Sequence, residues 1–399
     1  MSRKEKKKPL LKLSKGIDLP LFIALIILMI YGLVMVGSAS MGLATGNNMY
    51  LAIAIGKQFA FMFAGYIAMA ILTNRFSLNS LTQNTVISLV GGTVFLLLFC
   101  LAFKAVDGAR AWIRIPLGPQ EVTLQPSEFA KVVSILLIAA YIGDSKSKKN
   151  WFHILSRPVG IILAFILIVL ILQHDFGSAM VIFLIASVCL LIPENPNLKI
   201  FRIVMRVLFW LAVAASVYLL SPYGIELIRK IPFIADYQVN RFETALDPFS
   251  DPYGNSYQLI IGMTAFASGG WFGLGLGNSI RKYTRFPAAN TDYILAVLVE
   301  ELGFVGFCVL MLLYGILICR LLYFAAKIKN EKARIILVGT AMYVLVHIFF
   351  NIGGVTGLLP LTGIPLLMVS AGGSSIMAFM CAIGLSQAMI SAWRRGEIE

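Results

Sequence analysis

The 399-residue chain is poor in charged residues. Asp, Glu, Lys and Arg make up only 13% of it, against about 25% in an average soluble domain. Apolar residues make up 59%, which is more apolar surface than a soluble fold of this size can bury. The composition therefore predicts an integral membrane protein.

Cysteine and histidine are also scarce, with five and three residues. The cysteines lie in or beside apolar runs without a CxxC pair, and the histidines lack the spacing of metal ligands, so disulfides and a zinc site are not expected. The basic amino terminus leads directly into an apolar stretch, which favours a retained first helix over a cleaved signal peptide.

Acidic residues are outnumbered by 33 basic ones, and the net charge is +14. Seven basic residues lie in the first fifteen positions, and most of the others lie between apolar runs. No basic stripe alternates with exposed aromatic residues, so a nucleic-acid-binding surface is excluded. The distribution instead follows the positive-inside rule, and the basic tail suits an anionic inner leaflet.

Ten apolar segments are candidates for membrane spans, which need about 20 residues each. They are Leu19–Val36, Tyr50–Leu72, Thr85–Phe103, Gln125–Ile142, Pro158–Leu172, Gly177–Ile192, Val207–Leu220, Asp292–Cys319, Ile335–Val355 and Pro365–Ala392. With the amino terminus inside, 22 basic residues lie on the inner side and nine in the outer loops. We therefore expect an all-α polytopic protein with about ten transmembrane helices and both termini cytoplasmic.

This topology divides the chain into a basic cytoplasmic tail (residues 1–17), a membrane domain (18–393) and a short cytoplasmic tail (394–399). A large extracellular loop (221–291) separates spans 7 and 8, and a loop of this length usually carries structure or function. Its stretch from Tyr257 to Ala267 is too short to span a membrane, so we expect a re-entrant or interfacial helix there.

Ionisable residues at membrane depth are costly, at about 2.5–3.5 kcal/mol each, and therefore indicate functional sites. The first candidate cluster contains Asp107, Arg110, Trp112, Glu128 and Lys131. Glu128 and Lys131 share a helical face, so they either neutralise each other or direct the lysine toward an anionic head group. The guanidinium group of Arg110 can bind phosphate with two hydrogen bonds.

A second cluster surrounds the predicted start of span 8. Thr291 can cap that helix and place Asp292 in its first turn, at the outer face, where the helix dipole favours an acid. Glu300 and Glu301 lie about two turns deeper, where a span rarely carries two acids.

Two smaller candidates complete the set. Asp175 lies in the tight connection between spans 5 and 6, where it either caps the following helix or belongs to a site. Ser374 lies in the run Gly372-Gly373-Ser374-Ser375, where small residues indicate close helix packing or backbone exposed to a polar ligand.

Five motifs, in chain order, resemble those of one membrane-protein family. They are Gln125-Pro126-Ser127-Glu128 with Lys131, Tyr257-Gln258, Gly269-Gly270-Trp271-Phe272-Gly273-Leu274-Gly275-Leu276-Gly277-Asn278-Ser279, Phe286-Pro287-Ala288-Ala289-Asn290-Thr291-Asp292-Tyr293 and Glu300-Glu301-Leu302-Gly303. The chain resembles the SEDS family (FtsW/RodA/SpoVE type) from about Asp18 to Trp393. Its stretch Gly275-Leu276-Gly277-Asn278-Ser279, followed by Arg281-Lys282, is closer to the FtsW pattern than to RodA. It departs from the family at Asn290 and His174, where the family has His and Pro, and at Leu367-Met368 and Ala371.

The resemblance implies an inverting glycosyltransferase that polymerises lipid II into glycan strands at the outer face of the bacterial cytoplasmic membrane, for cell division or elongation. It implies Asp292 as the catalytic carboxylate. The predicted substrate-binding residues are Arg110, Trp112, Glu128, Lys131, Asp175, Glu300 and Ser374. The expected partners are a class B penicillin-binding protein and other divisome or elongasome proteins. A divalent cation, Mg²⁺ or Mn²⁺, is expected without assigned ligands.

In this interpretation, Asp292 removes a proton from the acceptor hydroxyl, and Arg110 and Lys131 stabilise the lipid diphosphate leaving group. Two alternatives stay open. A lipid II flippase needs gates at both faces, whereas the outer loops here concentrate the acids at one face. A scaffold of the divisome or elongasome needs no catalytic acid.

Overall fold

The computed structural model describes residues 16–44, 46–106, 108–117, 120–143, 151–219, 221–229, 236–284 and 286–399. Its helices are α1 (Leu19–Ala44), α2 (Asn48–Arg75), α3 (Gln83–Phe99), α4 (Pro126–Ile142), α5 (Trp151–Leu167), α6 (Phe176–Leu191), α7 (Lys199–Leu219), α8 (Pro222–Arg229), α9 (Asp236–Leu246), α10 (Tyr257–Gly269), α11 (Ile294–Lys327), α12 (Glu331–Val355) and α13 (Gly373–Arg394). Short 3₁₀ turns occur at Leu78–Ser80, Cys100–Ala102, Pro196–Leu198 and Arg281–Tyr283, and a π-helical segment, Ile168–Leu172, extends α5.

Each of the ten predicted segments overlaps one helix, and the fold is largely helical, as predicted. Within the described ranges, seven helices are long and apolar enough to cross a membrane. They are α1, α2, α3 with its 3₁₀ turn, α5 with its π-helical segment, α11, α12 and α13. The apolar helix α6 is shorter.

Five predicted boundaries differ from those of the helices by about two helical turns. The first and eighth segments end too early, since α1 continues to Ala44 and α11 to Lys327, and three segments have a wrong start. Helix α5 begins at Trp151 because Pro158 is accommodated inside it. Helix α7 begins at Lys199, because the basic residues that precede its apolar part are included in the helix. The last helix begins at Gly373, since the preceding residues form turns in which Met368 has a left-handed backbone (φ 67°).

A small β-hairpin corrects the expectation of a purely helical fold. Strands β1 (Ile113–Leu117) and β2 (Gln120–Leu124) pair antiparallel, with Ile113 opposite Leu124. The hairpin lies in the connection between α3 and α4, where its apolar residues alternate with polar ones over only five positions. The ammonium group of Lys57 on α2 donates to the Glu121 carbonyl oxygen (3.1 Å) and ties the hairpin to the bundle.

The core of the bundle lies around α13, which packs against α2, α4 and α12. Hydroxyl groups bridge these helices. Thr73 donates to the Gly384 carbonyl oxygen (3.2 Å), and the Ser386 hydroxyl group lies 2.9 Å from that of Thr340. Small and hydroxyl-bearing residues at helix contacts are typical of membrane bundles.

Asp18 fastens three helices at one end of the bundle. Its carboxylate accepts hydrogen bonds from Arg320 Nε (2.9 Å) and Arg394 Nη2 (3.0 Å), and its backbone N–H donates to Gln387 Oε1 (2.8 Å). Burial by itself raises the pKa of Asp18, but the hydrogen bonds from Arg320 and from the Leu21 N–H, together with both guanidinium charges, outweigh burial and hold that pKa below its usual value.

Helix α11 is interrupted at Gly303, whose backbone (φ 69°, ψ −169°) lies in a region that is essentially restricted to glycine. The loop after α10 bridges the interruption with four backbone hydrogen bonds of 2.9–3.0 Å. They run from the N–H groups of Leu274, Gly275, Phe304 and Val305 to the carbonyl oxygens of Glu300, Glu301, Gly270 and Trp271, respectively. Backbone groups freed by the break are thereby satisfied.

Helix α10 runs alongside the first part of α11 and in the same direction. Near its start, Gln258 Nε2 donates to the Pro287 carbonyl oxygen (3.0 Å), and near its end the Ser268 hydroxyl group donates to Glu300 Oε1 (3.3 Å). The chain after α10 then returns to the level at which α11 begins.

Candidate active site

A cavity of about 430 Å³ lies where α9 and α10 meet the turn before α11. Its polar lining consists mainly of Asp292, Arg241, Gln258, Asn240 and Asn255. A carboxylate, a guanidinium group and three amides therefore face one space. Such a set can accept a proton, bind an anion and form hydrogen bonds with sugar hydroxyl groups.

Asp292 is half-buried in the turn that precedes α11. The helix begins at Ile294 with Tyr293 at the N-cap position, so the expectation that Thr291 is the cap is wrong. The Thr291 hydroxyl group donates to the Ala288 carbonyl oxygen (3.3 Å) and stabilises a tight turn in which Ala288 has φ 52°. Asp292 thus lies one residue before the cap, still near the positive end of the helix dipole.

Side chains of α12 and of the α12–α13 connection hold this turn in place. Asn351 Nδ2 donates to the carbonyl oxygens of Asp292 (2.9 Å) and Ile364 (3.0 Å). The Ser370 hydroxyl group donates to the Thr291 carbonyl oxygen (2.7 Å). Because these bonds fix the backbone, they position Asp292 without using its carboxylate oxygens.

Arg241 is the functional candidate that sequence analysis missed. A Cβ atom added to Gly363 would lie 3.8 Å from both Asp292 Oδ2 and Arg241 Nη1, so the two charged groups flank the same point. Arg241 Nη1 also donates to the Leu361 carbonyl oxygen (2.9 Å), which orients the guanidinium group. The only signal in the sequence is a basic residue in an amphipathic stretch of the long loop.

Asp175 and Ser374 meet at a second polar site, the junction where α4, α6 and α13 begin. Asp175 caps α6, because its Oδ1 accepts a hydrogen bond from the Ser178 N–H (2.9 Å), and its Oδ2 accepts one from Gln125 Nε2 (2.8 Å). The Gln125 N–H in turn donates to the Ser374 hydroxyl oxygen (2.8 Å). Three helix starts converge there, an arrangement that favours anionic groups.

The loop that carries Gly363 separates this junction from the Asp292 cavity. A Cβ atom on Gly177 of α6, two residues after Asp175, would lie 2.6 Å from the Thr362 carbonyl oxygen. The backbone at Thr362 and Gly363 therefore lies beside α6 on one side and beside Asp292 on the other.

Glu128 and Lys131 form a buried cluster with two residues of α12. Lys131 Nζ lies 2.8 Å from Glu128 Oε1 and 3.1 Å from His347 Nε2, and the Tyr343 hydroxyl group donates to Glu128 Oε2 (2.8 Å). Both charged side chains are about 1% exposed. The two residues therefore neutralise each other, which was one of the two predicted interpretations, and neither belongs to the lining of the Asp292 cavity.

Glu300 and Glu301 face the loop that bridges the interruption of α11. Glu300 accepts hydrogen bonds from the hydroxyl groups of Ser268 and Ser279. Glu301 pairs with Lys282 Nζ (2.8 Å), and the Ser38 hydroxyl group donates to it (2.6 Å). Glu300 is absent from the lining of the Asp292 cavity, and its contacts are those of a residue that anchors the loop.

The remaining predicted residues lie near the hairpin. Arg110 is exposed, and its backbone N–H donates to the Gln173 carbonyl oxygen (2.9 Å). Trp112 is half-buried immediately before β1. Asp107 lies outside the described residues.

The expected divalent cation has no matching ligand set in the described ranges. Among those residues, no three His, Cys, Asp or Glu side chains come together. The Asp292 cavity combines one carboxylate with a guanidinium group, a combination that does not suit a protein-held cation. The requirement for a divalent cation stays a prediction.

Fold and site together define a polytopic membrane protein with a carboxylate-bearing cavity at the start of an interrupted helix. The model of the FtsW, RodA and SpoVE family, described as cell cycle protein, matches residues 19–393. A probable peptidoglycan glycosyltransferase FtsW from Bacillus subtilis is 31% identical over 94% of this chain and 90% of its own length. Stage V sporulation protein E from the same organism is 31% identical over 92% and 95%.

Solved structures agree with the sequence relatives. A chain from a peptidoglycan synthase complex that coordinates polymerization and crosslinking has a TM-score of 0.71 at 25% identity, covering 95% of this chain and 98% of the other. The rod shape determining protein RodA from Thermus thermophilus has the same coverage, with a TM-score of 0.61 at 23% identity, and shares the fold. The chain belongs to the FtsW, RodA and SpoVE family.

Proposed function

We propose that this chain polymerises lipid II into glycan strands, with Asp292 as the base that activates the acceptor hydroxyl group. The chain is a peptidoglycan glycosyltransferase of the bacterial cytoplasmic membrane, like the relatives with which it shares its family. The observation that carries the assignment of the base is the half-buried Asp292 facing the 430 Å³ cavity beside Arg241.

The proposed topology has ten membrane spans, namely α1–α7 and α11–α13, with both termini cytoplasmic. The residue boundaries of the tails and of the membrane domain follow the expectation from the sequence. In this topology, α4, α6, α11 and α13 all begin at the outer face. The Asp292 cavity then opens at the level of the lipid head groups, and α10 is a re-entrant helix within the large extracellular loop.

The reaction needs one proton acceptor. The acceptor sugar hydroxyl group attacks the anomeric carbon of a second lipid-linked sugar, the bond to the diphosphate breaks, and the proton passes to Asp292. A positioned general base contributes about 10²–10⁴-fold to such a step. Inversion at the anomeric carbon follows from a single displacement, so a second carboxylate is not required.

The leaving diphosphate needs positive charge rather than a proton. Arg241 is the cationic residue in the lining of the cavity, and we assign it to this role together with Arg110 near the hairpin. Lys131 is occupied by Glu128 and His347. We propose that Lys131, together with Glu128, supports the site from the side nearer the membrane interior. We also propose that the junction of Asp175 and Ser374 binds polar groups of the substrate.

The expected partners follow from the family. One structural relative comes from a peptidoglycan synthase complex, and this supports a class B penicillin-binding protein as the partner that crosslinks the product. Many of the curated relatives carry the name FtsW, and this supports a role in cell division rather than elongation.

The first experiment measures lipid II polymerisation by purified protein with its partner, for the wild type, Asp292→Asn and Glu243→Gln. Glu243 is an acid of α9 that pairs with Arg229 and does not line the cavity, so its variant is a matched control. We expect a loss of about 10²–10⁴-fold for Asp292→Asn and less than about threefold for the control.

Polymerisation by a normally folded Asp292→Asn variant would refute the assignment of the base. If the wild type and its partner also form no strands, transport of lipid II becomes the leading hypothesis, and a flipping assay in liposomes tests it. Growth of cells on Asp292→Asn alone would support the scaffold instead.

A further inference from the structure

The amino-terminal turns of α7 carry three cations on a groove far along the chain from the Asp292 site. The groove has a volume of about 490 Å³ and is lined by Lys199, Arg202 and Arg206 with the apolar side chains of Leu191 and Ile203. Residues at positions 199, 202 and 206 are spaced by three and four, so they project from one face of the helix.

Backbone carbonyl groups, rather than acids, orient the two guanidinium groups. Arg202 Nη1 donates to the Pro193 carbonyl oxygen (2.9 Å), and Arg206 Nε donates to the Arg202 carbonyl oxygen (3.3 Å). Each guanidinium group has five N–H donors, so several stay available to a ligand. The guanidinium groups are thus arranged before any anion arrives.

The groove lacks a carboxylate of its own. In the described part of the chain, no ion pair within 4.0 Å involves Lys199, Arg202 or Arg206. The acid nearest in sequence, Glu194, pairs instead with Arg334 (2.9 Å). Three like charges within two helical turns repel each other unless an anion lies between them.

We infer that this groove binds the phosphate group of an anionic membrane lipid. The apolar side chains beside the cations favour a lipid over a free anion, because Ile203, Ile200 and Val207 on the same helix are exposed and offer a surface for an acyl chain. Arg in particular binds phosphate with paired hydrogen bonds. The inference requires only that the start of α7 lies at a membrane surface, and it is independent of the proposed reaction.

The test uses the full chain, purified and delipidated in a neutral detergent, and native mass spectrometry of bound lipid. Phosphatidylglycerol, phosphatidylcholine and inorganic phosphate are titrated separately. The groove variant combines Lys199→Gln, Arg202→Gln and Arg206→Gln. The control variant combines Arg75→Gln, Lys327→Gln and Lys329→Gln, which remove the same charge from exposed positions elsewhere.

We expect the groove variant to bind phosphatidylglycerol about 100-fold more weakly than the wild type, since it loses three basic residues and each at a lipid surface contributes about fivefold. The control should change less than about threefold. Equal binding by the groove variant, or an equal loss in the control, overturns the site. Binding of inorganic phosphate to the wild type as strong as that of phosphatidylglycerol overturns the assignment to a lipid.

Single variants keep the test decisive if the triple variant does not fold. Lys199 and Arg206 are exposed, so Lys199→Gln and Arg206→Gln should fold normally. Each should weaken phosphatidylglycerol binding about three- to tenfold without changing the weaker binding of phosphatidylcholine. No loss in either single variant counts against the site.

Discussion

Replacing Gly303 with alanine tests whether the interruption of α11 is built into the fold. The residue has φ 69° and ψ −169°, and a side chain in this region costs about 1–3 kcal/mol. The added Cβ would also lie 2.5 Å from the Phe272 nitrogen and closer still to the Trp271 carbonyl oxygen. The loop must therefore move away from the helix.

The movement adds a second cost, because the loop supplies the four hydrogen bonds that bridge the interruption. Losing at least two of them costs about 1 kcal/mol each. We therefore expect Gly303→Ala to lower the free energy of unfolding by about 4 kcal/mol. The assay is thermal or detergent-induced unfolding of the purified protein, followed by tryptophan fluorescence, with lipid II polymerisation measured on the same samples.

Gly315→Ala is the matched control in the same helix. Its Cβ would meet no atom within 4 Å, and a helical glycine replaced by alanine usually gains about 0.5–1 kcal/mol. The two variants should thus change stability in opposite directions. A Gly303→Ala protein with wild-type stability and activity would show that the interruption is not required and that α11 can close into a continuous helix.

Two further substitutions test the inner fastening and the cavity. Asp18→Asn should lower stability by about 2 kcal/mol at neutral pH, because two guanidinium groups lose their carboxylate. The pKa of Asp18 in the folded protein lies below its usual 3.8, so its contribution to stability is full above about pH 4 and is lost as the pH falls through the folded pKa. The unfolding curves of the two proteins should therefore converge below pH 4. A difference that stays constant with pH would be inconsistent with the ion pair. Arg241→Gln should lower kcat/KM for lipid II about 10- to 100-fold with little change in stability, and unchanged kinetics would remove Arg241 from the site.

Much of the helical frame could be predicted because hydrophobic length is a strong signal in membrane proteins. Each predicted segment overlaps a helix. Two of the errors fall where charge or proline interrupts the apolar pattern without ending the helix, at Pro158 and at the basic start of α7. The hairpin was missed because alternation over five residues is weak beside segments of twenty apolar ones.

Acidic residues were easier to find than to assign. An acid within an apolar segment signals that it has a partner, but the sequence does not reveal which partner it has. Glu300 and Glu301 bind the loop from Ser268 to Lys282, and Glu128 binds Lys131 and Tyr343. The contacts of Glu300 and Glu301 depend on loop geometry at an interrupted helix, and the contact of Glu128 with Tyr343 depends on the packing of α4 against α12. Single-sequence patterns describe neither.

Arg241 was missed for the opposite reason. It lies in a polar stretch where a basic residue is unremarkable, and it approaches Asp292 only because α9 folds back over the α12–α13 connection. Long-range proximity of this kind has no local signature. Sequence analysis therefore identified Asp292 as a candidate without the cation beside it.

The interruption of α11 also has a mechanical consequence. The loop at Gly270–Gly275 is bonded to α11 on both sides of Gly303, and the chain that leaves this loop at Gly275 reaches Asp292 17 residues later. Lys282 and Glu301 clamp that chain a second time, at the level of Ser38 on α1. Displacement of the loop at Gly270–Gly275 would therefore be transmitted to Asp292 through the backbone and through the buried ion pair of Lys282 and Glu301. The helices of the bundle would keep their places.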